Sequence, residues 1–522
     1  MKRAFAALLA AVVLLAGVVA GCSGSPSQTL TILAGSELKD LEPLFPDIQR
    51  ATGVLLQPTY IGTLEGAEKI ASGTDASDAA WFSHGKYLSL LPGAGSRIVD
   101  QQKIMLSPVI LGVKQSVAQR FGWLDNPNVT WKDIQSHAAD GSFHFAMTNP
   151  AASNSGFTAL IGVASALSGS SDAIDTGNID QDALRAFFNG QTLTAGSSGF
   201  LADDFVRQQA SIDGIINYES VLMGLNAGGK LTEPLTLIYP KEGIITADYP
   251  LMLLNAAKRD AYQRVVDYLR TPEVQKKIMD TTNRRPVVPG VPLSSNFPSQ
   301  VLVELPFPSQ LDTIDALLEV YLDQIRKPAS ATFVLDLSGS MQGDRLSSLQ
   351  QALTSLTGLD QTITGRFSRF RAHEDVHFVT FSSSVIDQRD FTIDDTDPSS
   401  TSMQAIRDYV DGLTTYNNTA IYDALVTAYQ GVYSQQQADP NRLYSVVLMT
   451  DGENNSGYSF EQFRDWFNAL PDAVKAIHTY PILFGDSNTD EMESLATLTG
   501  GRTFDAQNGD LTDIFKQIRG YQ

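Results

Sequence analysis

Asp336, Ser338 and Ser340 stand at alternate positions in the run Thr-Phe-Val-Leu-Asp-Leu-Ser-Gly-Ser-Met over 332–341. A carboxylate and two hydroxyls so spaced are hard oxygen donors, suited to Mg²⁺ or Mn²⁺ and not to zinc. The apolar run before them reads as a buried parallel strand, and a helix-competent segment starts near Leu346. The pattern predicts a strand that delivers three oxygens into a tight loop at its C-terminal end. In open parallel sheets that edge is where ligands bind.

Two later positions repeat this context. Thr419, in Asn-Asn-Thr-Ala-Ile-Tyr-Asp-Ala-Leu, precedes a helical pattern, and Asp451, in Val-Val-Leu-Met-Thr-Asp-Gly, closes another apolar run. Three pieces in this order resemble the metal-ion-dependent adhesion site of von Willebrand factor type A domains, whose signature is Asp-x-Ser-x-Ser. The resemblance implies that Ser338, Ser340 and Thr419 contact a Mg²⁺ or Mn²⁺ ion, with Asp336 and Asp451 acting directly or through water. An Asp or Glu of a protein partner would then fill the last position. Two carboxylates balance the ion formally, and octahedral Mg²⁺ keeps water wherever protein ligands are missing. Gly-Gly is common before the threonine in that family. Here Asn417-Asn418 stand there, which changes the turn and not the ligand set.

An enzymatic reading finds little support. A strand-end aspartate nucleophile of the haloacid-dehalogenase kind wants a second Asp two residues on as general acid, and Ser338 cannot protonate a leaving group at neutral pH. Neither a Gly-x-Ser-x-Gly elbow, a His-Glu-x-x-His pair nor a phosphate loop occurs. The expectation is a binding protein, not a catalyst.

The elements that must position these residues belong to a chain of 522 residues, enough for about three domains. A formal net charge of −21 argues against a nucleic-acid partner. Lys2 and Arg3 precede an apolar stretch over 4–20, then Gly21, Cys22 and a Ser/Gly/Pro leash. That is an export signal in form. Val19-Ala20-Gly21-Cys22 is similar to a bacterial lipobox, which implies cleavage after residue 21 and lipidation of Cys22; an uncleaved anchor helix is the alternative. Either way the rest is held outside the cytoplasmic membrane. With no second cysteine, disulfides and thiolate metal sites are excluded.

From Thr29 onward, strand candidates alternate with helical patterns. Leu30 to Ala34, Val54 to Tyr60, Phe143 to Thr148, and a strand over 104–113 passing between lobes are expected, with Thr130 and Thr271 as helix caps. This order, with Ile-Tyr-Pro-Lys-Glu-Gly over 238–243 and the closing Asp-Tyr-Leu-Arg-Thr-Pro-Glu over 267–273, resembles bacterial extracellular solute-binding proteins of the two-lobed type II class. In that family two α/β lobes close over a ligand. Ser153, Asn154 and Ser155 before Gly156 would form an anion cradle at a helix start. Ser36, Tyr218 and Glu219 are further cleft candidates. Ordinary capping or turn chemistry competes with each of these readings. No Arg accompanies the hydroxyls in sequence, so phosphate or sulfate capture gains no support here.

The expected organisation is a signal peptide over 1–21, a lipidated Cys22 and leash to 28, and a solute-binding-like domain over 29–295. A linker and bridging helix over 296–328 and a von Willebrand A-type domain over 329–522 follow. The fold class is α/β: a two-lobed periplasmic-binding-protein-like domain, then a doubly wound Rossmann-like domain with a parallel sheet. The functional expectation is a lipid-anchored, extracytoplasmic binding protein that grips an acidic residue of a protein partner through Mg²⁺ or Mn²⁺, with a small solute in the N-terminal cleft. The alternative is a transport receptor for a permease, with the C-terminal domain as accessory.

Overall fold

The computed structural model describes residues 28–522 except 170, 171, 299 and 508. The expected signal, Cys22 and most of the leash lie outside the described residues. Among those described, no helix is long and apolar enough to cross a membrane.

The first lobe is built on a five-stranded sheet ordered Val54–Tyr60, Gln28–Ala34, Ala79–Trp81, Pro250–Leu253, Asp100–Lys103. Its first three strands are parallel, and Pro250–Leu253 runs antiparallel between two neighbours. The second lobe centres on Met105–Lys114, which pairs with Gly214–Tyr218, Leu235–Ile238, Thr246–Ala247 and Arg285–Pro286. The chain therefore crosses between lobes at 103–105 and again at 247–250. The long apolar strand read as passing between lobes enters the second lobe directly after the first crossing.

Local chemistry sets the helix ends as the sequence implies. Thr130 Oγ1 accepts from Asp133 N at 3.0 Å while the Asp133 carboxylate accepts from Thr130 N at 2.9 Å, a reciprocal cap. Thr271 accepts from Val274 N, with Pro272 at the first helical position. The bridging helix differs slightly. It runs Leu311–Val320, entered from Gln310 without a side-chain cap, and continues as a π-turn over Tyr321–Ile325. Its buried Ile314, Leu317 and Leu318 join the apolar core of the lobes. Asp315 and Asp323 pair with Arg366 and Arg371 of the C-terminal domain at 2.6 and 2.9 Å.

The third sheet has six strands, ordered Val385–Thr392, Asp375–Phe381, Ala329–Asp336, Leu443–Thr450, His478–Leu483, Phe504–Asp505. Five are parallel, and Val385–Thr392 is an antiparallel edge. A wholly parallel sheet was expected. The edge strand escapes a hydrophobic reading because it carries Asp387, Arg389 and Asp390 and buries none of its residues. Such charges keep an edge from pairing with other chains.

The central strand illustrates how the core divides. Phe333 and Leu335 point to one face, packing with Leu349, Leu353 and Phe515 in one cluster. Val334 points to the other, packing with Ile421, Leu425 and Tyr429. The two-residue period of a strand buried on both sides produces this split.

Candidate metal centre and cleft

Asp336 is the last residue of its strand and is fully buried. Its Oδ1 accepts from Ser338 N at 2.7 Å, and its Oδ2 accepts from Thr450 Oγ1 at 2.6 Å on the neighbouring parallel strand. That strand hands over to Asp451. Ser338 Oγ and Ser340 Oγ are 3.0 Å apart, and Ser340 Oγ donates to Asp451 Oδ1 at 2.7 Å. A methyl built on Gly452 would lie 3.7 Å from Ser340 Oγ and 3.9 Å from Thr419 Oγ1, so both hydroxyls converge over that glycine. The fold thus brings Asp336, Ser338, Ser340, Thr419 and Asp451 to one sheet edge. Ser340 is exposed while the other four are buried, which leaves the site open on one side.

The Asn417-Asn418 departure has a local explanation. Asn418 sits at φ 58°, a left-handed conformation that Asn tolerates better than most residues other than glycine. Residues the sequence reading missed hold this turn in place. Asn455 Oδ1 accepts from Thr419 N and Asn454 Oδ1 from Ile421 N, each at 2.8 Å, and Ser382 donates to the Asn417 carbonyl. An Asn-Asn pair directly after Asp451-Gly-Glu was the available signal.

Arg345 was missed as well. It donates to Asp451 Oδ2 at 2.5 Å and to Asp486 Oδ2 at 2.8 Å. Asp336, by contrast, has no cationic side chain bonded to it among the described residues, and burial pushes its carboxyl up to about 6. A buried carboxylate short of positive charge, ringed by hydroxyls, fits a hard divalent cation. Among the described residues no group of three or more His, Cys, Asp or Glu could hold a metal. The candidate donors are therefore this mixed set of carboxylates and hydroxyls.

Two expected outcomes follow from these charges. Metal binding needs the ionised form of Asp336, so Mg²⁺ affinity should rise with pH through about 6. Titrations at pH 5 and pH 7.5 should differ by about tenfold, with a proton released on binding at pH 5; equal affinities would contradict this. Replacing Arg345 by Ala removes a partly exposed unit charge beside the site and should strengthen Mg²⁺ binding by about tenfold. A weaker site in that variant would mean that Arg345 orients Asp451 for the ion.

At the N-terminal module a cavity of about 240 Å³ lies between the lobes, lined by Ser36, Glu37, Lys39, Tyr60, Asn149, Ser153 and Asn154 among others. Ser153 precedes the helix Asn154–Leu167 without a side-chain bond to its free N–H groups. Asn154 Nδ2 donates to Glu37 Oε1 at 3.3 Å, from one lobe to the other. Three cleft expectations take other roles. Ser155 is buried and bonded to Thr148 Oγ1 at 2.9 Å. Tyr218 is buried and donates to Ser83 Oγ at 3.0 Å, tying the lobes together. Glu219 is fully buried in a two-pronged pair with Arg285 at 2.6 and 2.7 Å, with Tyr239 donating to it as well. None of the three lines the cavity, because each is consumed by a buried partner.

Residues 30–281 match the bacterial extracellular solute-binding protein family, and residues 332–517 match the von Willebrand factor type A domain. The chain thus carries a solute-binding domain followed by a von Willebrand A domain. Among solved structures it is similar to the periplasmic binding protein AfuA from Actinobacillus pleuropneumoniae, with exogenous fructose-6-phosphate bound. Identity there is 15%, over 57% of this chain and 98% of that one, with a TM-score of 0.45. For the ferric binding protein from Campylobacter jejuni the values are 14%, 56%, 98% and 0.43. For the substrate binding protein of the ABC transporter from Agrobacterium tumefaciens they are 15%, 58%, 92% and 0.42. No curated protein matches the chain.

Proposed function

We propose that this chain is an extracytoplasmic binding protein, lipid-anchored through Cys22 to the bacterial cell membrane, that grips an acidic residue of a protein partner through a divalent cation. Asp336, Ser338, Ser340, Thr419 and Asp451 would hold the ion, Mg²⁺ or Mn²⁺. When bound, it would supply an electrophilic position for a partner carboxylate oxygen. The single observation that carries this reading is the convergence of these oxygens around the buried, uncompensated Asp336. Asn454, Asn455 and Ser382 keep Thr419 aimed at the same point, so the donor set is pre-organised. The extracellular solute-binding domain supports a place outside the cytoplasm.

Binding, and no catalytic step, is the function proposed for either module. The cavity between the lobes favours a second role, a small solute held at Ser36, Ser153 and Asn154, as a transport receptor would hold one. The test is cross-linking of the membrane-anchored chain to neighbouring proteins with and without chelator. Partners should be captured only with metal present and lost in Asp336→Ala; capture indifferent to both would overturn the adhesion reading.

A further inference from the structure

The von Willebrand A domain sits on both lobes at once. On the first lobe, Glu68 accepts from Ile363 N at 2.6 Å and from Thr364 N at 3.0 Å, and Lys69 pairs with Asp513 at 3.4 Å. On the second, Arg207 donates to the Gly500 carbonyl at 2.9 Å and His478 lies 3.2 Å from Asp204. The two modules pack tightly at two glycines. A methyl on Gly196 would lie 2.2 Å from the Tyr521 ring, and one on Gly520 would lie 2.4 Å from Ala152. Apolar packing runs unbroken from Leu201 and Phe205 of the second lobe to Phe515 and Tyr521.

Residues of both modules line the cavity between the lobes. The lobes contribute Ser36, Lys39, Tyr60, Ser153 and Asn154, and the von Willebrand A domain contributes Arg502, Lys516 and Tyr521. The charges there differ in availability. Lys516 pairs with Asp360 and Asp513, Arg519 with Glu374, and Glu65 with Lys69. Lys39 lies over the Tyr60 ring and Arg502 over the Phe504 and Tyr521 rings; Arg502 also donates to Tyr521 Oη at 2.7 Å, and neither cation forms an ion pair among the described residues. Burial raises the Glu37 carboxyl above its usual range, which favours its neutral form. Asn154, 4% exposed, leaves its Oδ1 without a hydrogen-bond partner at the start of a 14-residue helix. Free N–H groups at the helix start and two cations without an ion-pair partner line one space, with the orphaned Asn154 acceptor buried beside it. The arginine absent from the cleft segments arrives from some 350 residues downstream.

We propose that this cavity is a composite site: a small oxyanion is held jointly by the lobes and by Arg502. Solute binding and seating of the von Willebrand A domain are then coupled, each strengthening the other by the same factor. This inference rests on the cleft being a solute site. It assigns that site a wall from the second module, so the solute is sensed by the domain that carries the metal centre.

Inorganic phosphate serves as the probe. Calorimetry on the full chain should give saturable binding, weakened at least about tenfold by Arg502→Ala and partly restored by Arg502→Lys. Arg389→Ala, an equal charge change on the opposite edge strand, should bind as the wild type does. Amide exchange over 511–522 should slow when phosphate is added to the wild type and stay unchanged in Arg502→Ala. Equal phosphate affinity in wild type and Arg502→Ala, with exchange unaffected in both, would overturn the composite site and leave the cleft reading standing. No phosphate binding by any variant would remove the cleft reading and this inference with it.

Discussion

Asp336→Asn is expected to leave the metal-free protein at least as stable as the wild type at pH 7 and to erase the stabilisation that Mg²⁺ confers. Burial raises the folded-state pKa of Asp336 from 3.8 to about 6. The folded protein therefore holds this proton more tightly than the unfolded chain does. Stability from this group is greatest below pH 3.8, falls as pH rises to about 6, and is level above. Over that span the penalty is about 3 kcal/mol. Asparagine removes it while keeping an acceptor for Ser338 N, and the Thr450 hydroxyl can turn to accept from the new amide. With Mg²⁺ at 100 times its dissociation constant, the wild type should gain about 2.7 kcal/mol and the variant nothing. Denaturant midpoints with and without Mg²⁺ measure both effects. A variant less stable than the wild type without metal, yet still stabilised by Mg²⁺, would refute this account of Asp336.

Glu374→Ala should have the opposite signature, a large loss of stability at any metal concentration. Glu374 is buried, 1% exposed, and accepts from Arg519 at 2.6 Å, from Arg371 N at 3.0 Å and from Arg326. These groups come from the closing helix, the turn before Asp375–Phe381 and the end of the bridging segment. The two arginines and nearby Arg371 hold the carboxyl below its usual range despite desolvation. Removing it strands two buried guanidinium groups, at a cost of about 3–5 kcal/mol. Glu374→Gln keeps two polar atoms but not the charge and should fall between. A shift in midpoint worth less than about 1 kcal/mol for Glu374→Ala would mean that water replaces the carboxylate.

The five oxygen donors of the candidate metal centre were legible because each sits beside a local signal. Asp336, Ser338 and Ser340 share five positions, and Thr419 and Asp451 each mark a strand end or helix start. Arg345 was not legible, since its partner Asp451 lies 106 residues away and only the parallel pairing of two strands brings them together. Asn455, 36 residues from Thr419, failed to show for the same reason. In the cleft, Tyr218 and Glu219 sit at a strand-to-helix turn, the place where ligand contacts occur in such sheets. What the sequence could not show was Arg285, 66 residues on, whose buried charge consumes Glu219. Arg502 stayed hidden because a cation for the cleft was sought within the cleft segments. The alternation of strands and helices needed none of this long-range information, so both α/β domains could be read directly. The edge strand Val385–Thr392 was the exception, since its polar faces carry no hydrophobic period.

The most direct measurement is calorimetric titration of Mg²⁺ into the full chain at pH 7.5, beside the double variant Asp336→Ala, Ser338→Ala. One saturable site in the wild type that disappears in the variant is the predicted result. The same isotherm from both proteins, whether saturable or flat, would contradict the adhesion site at Asp336.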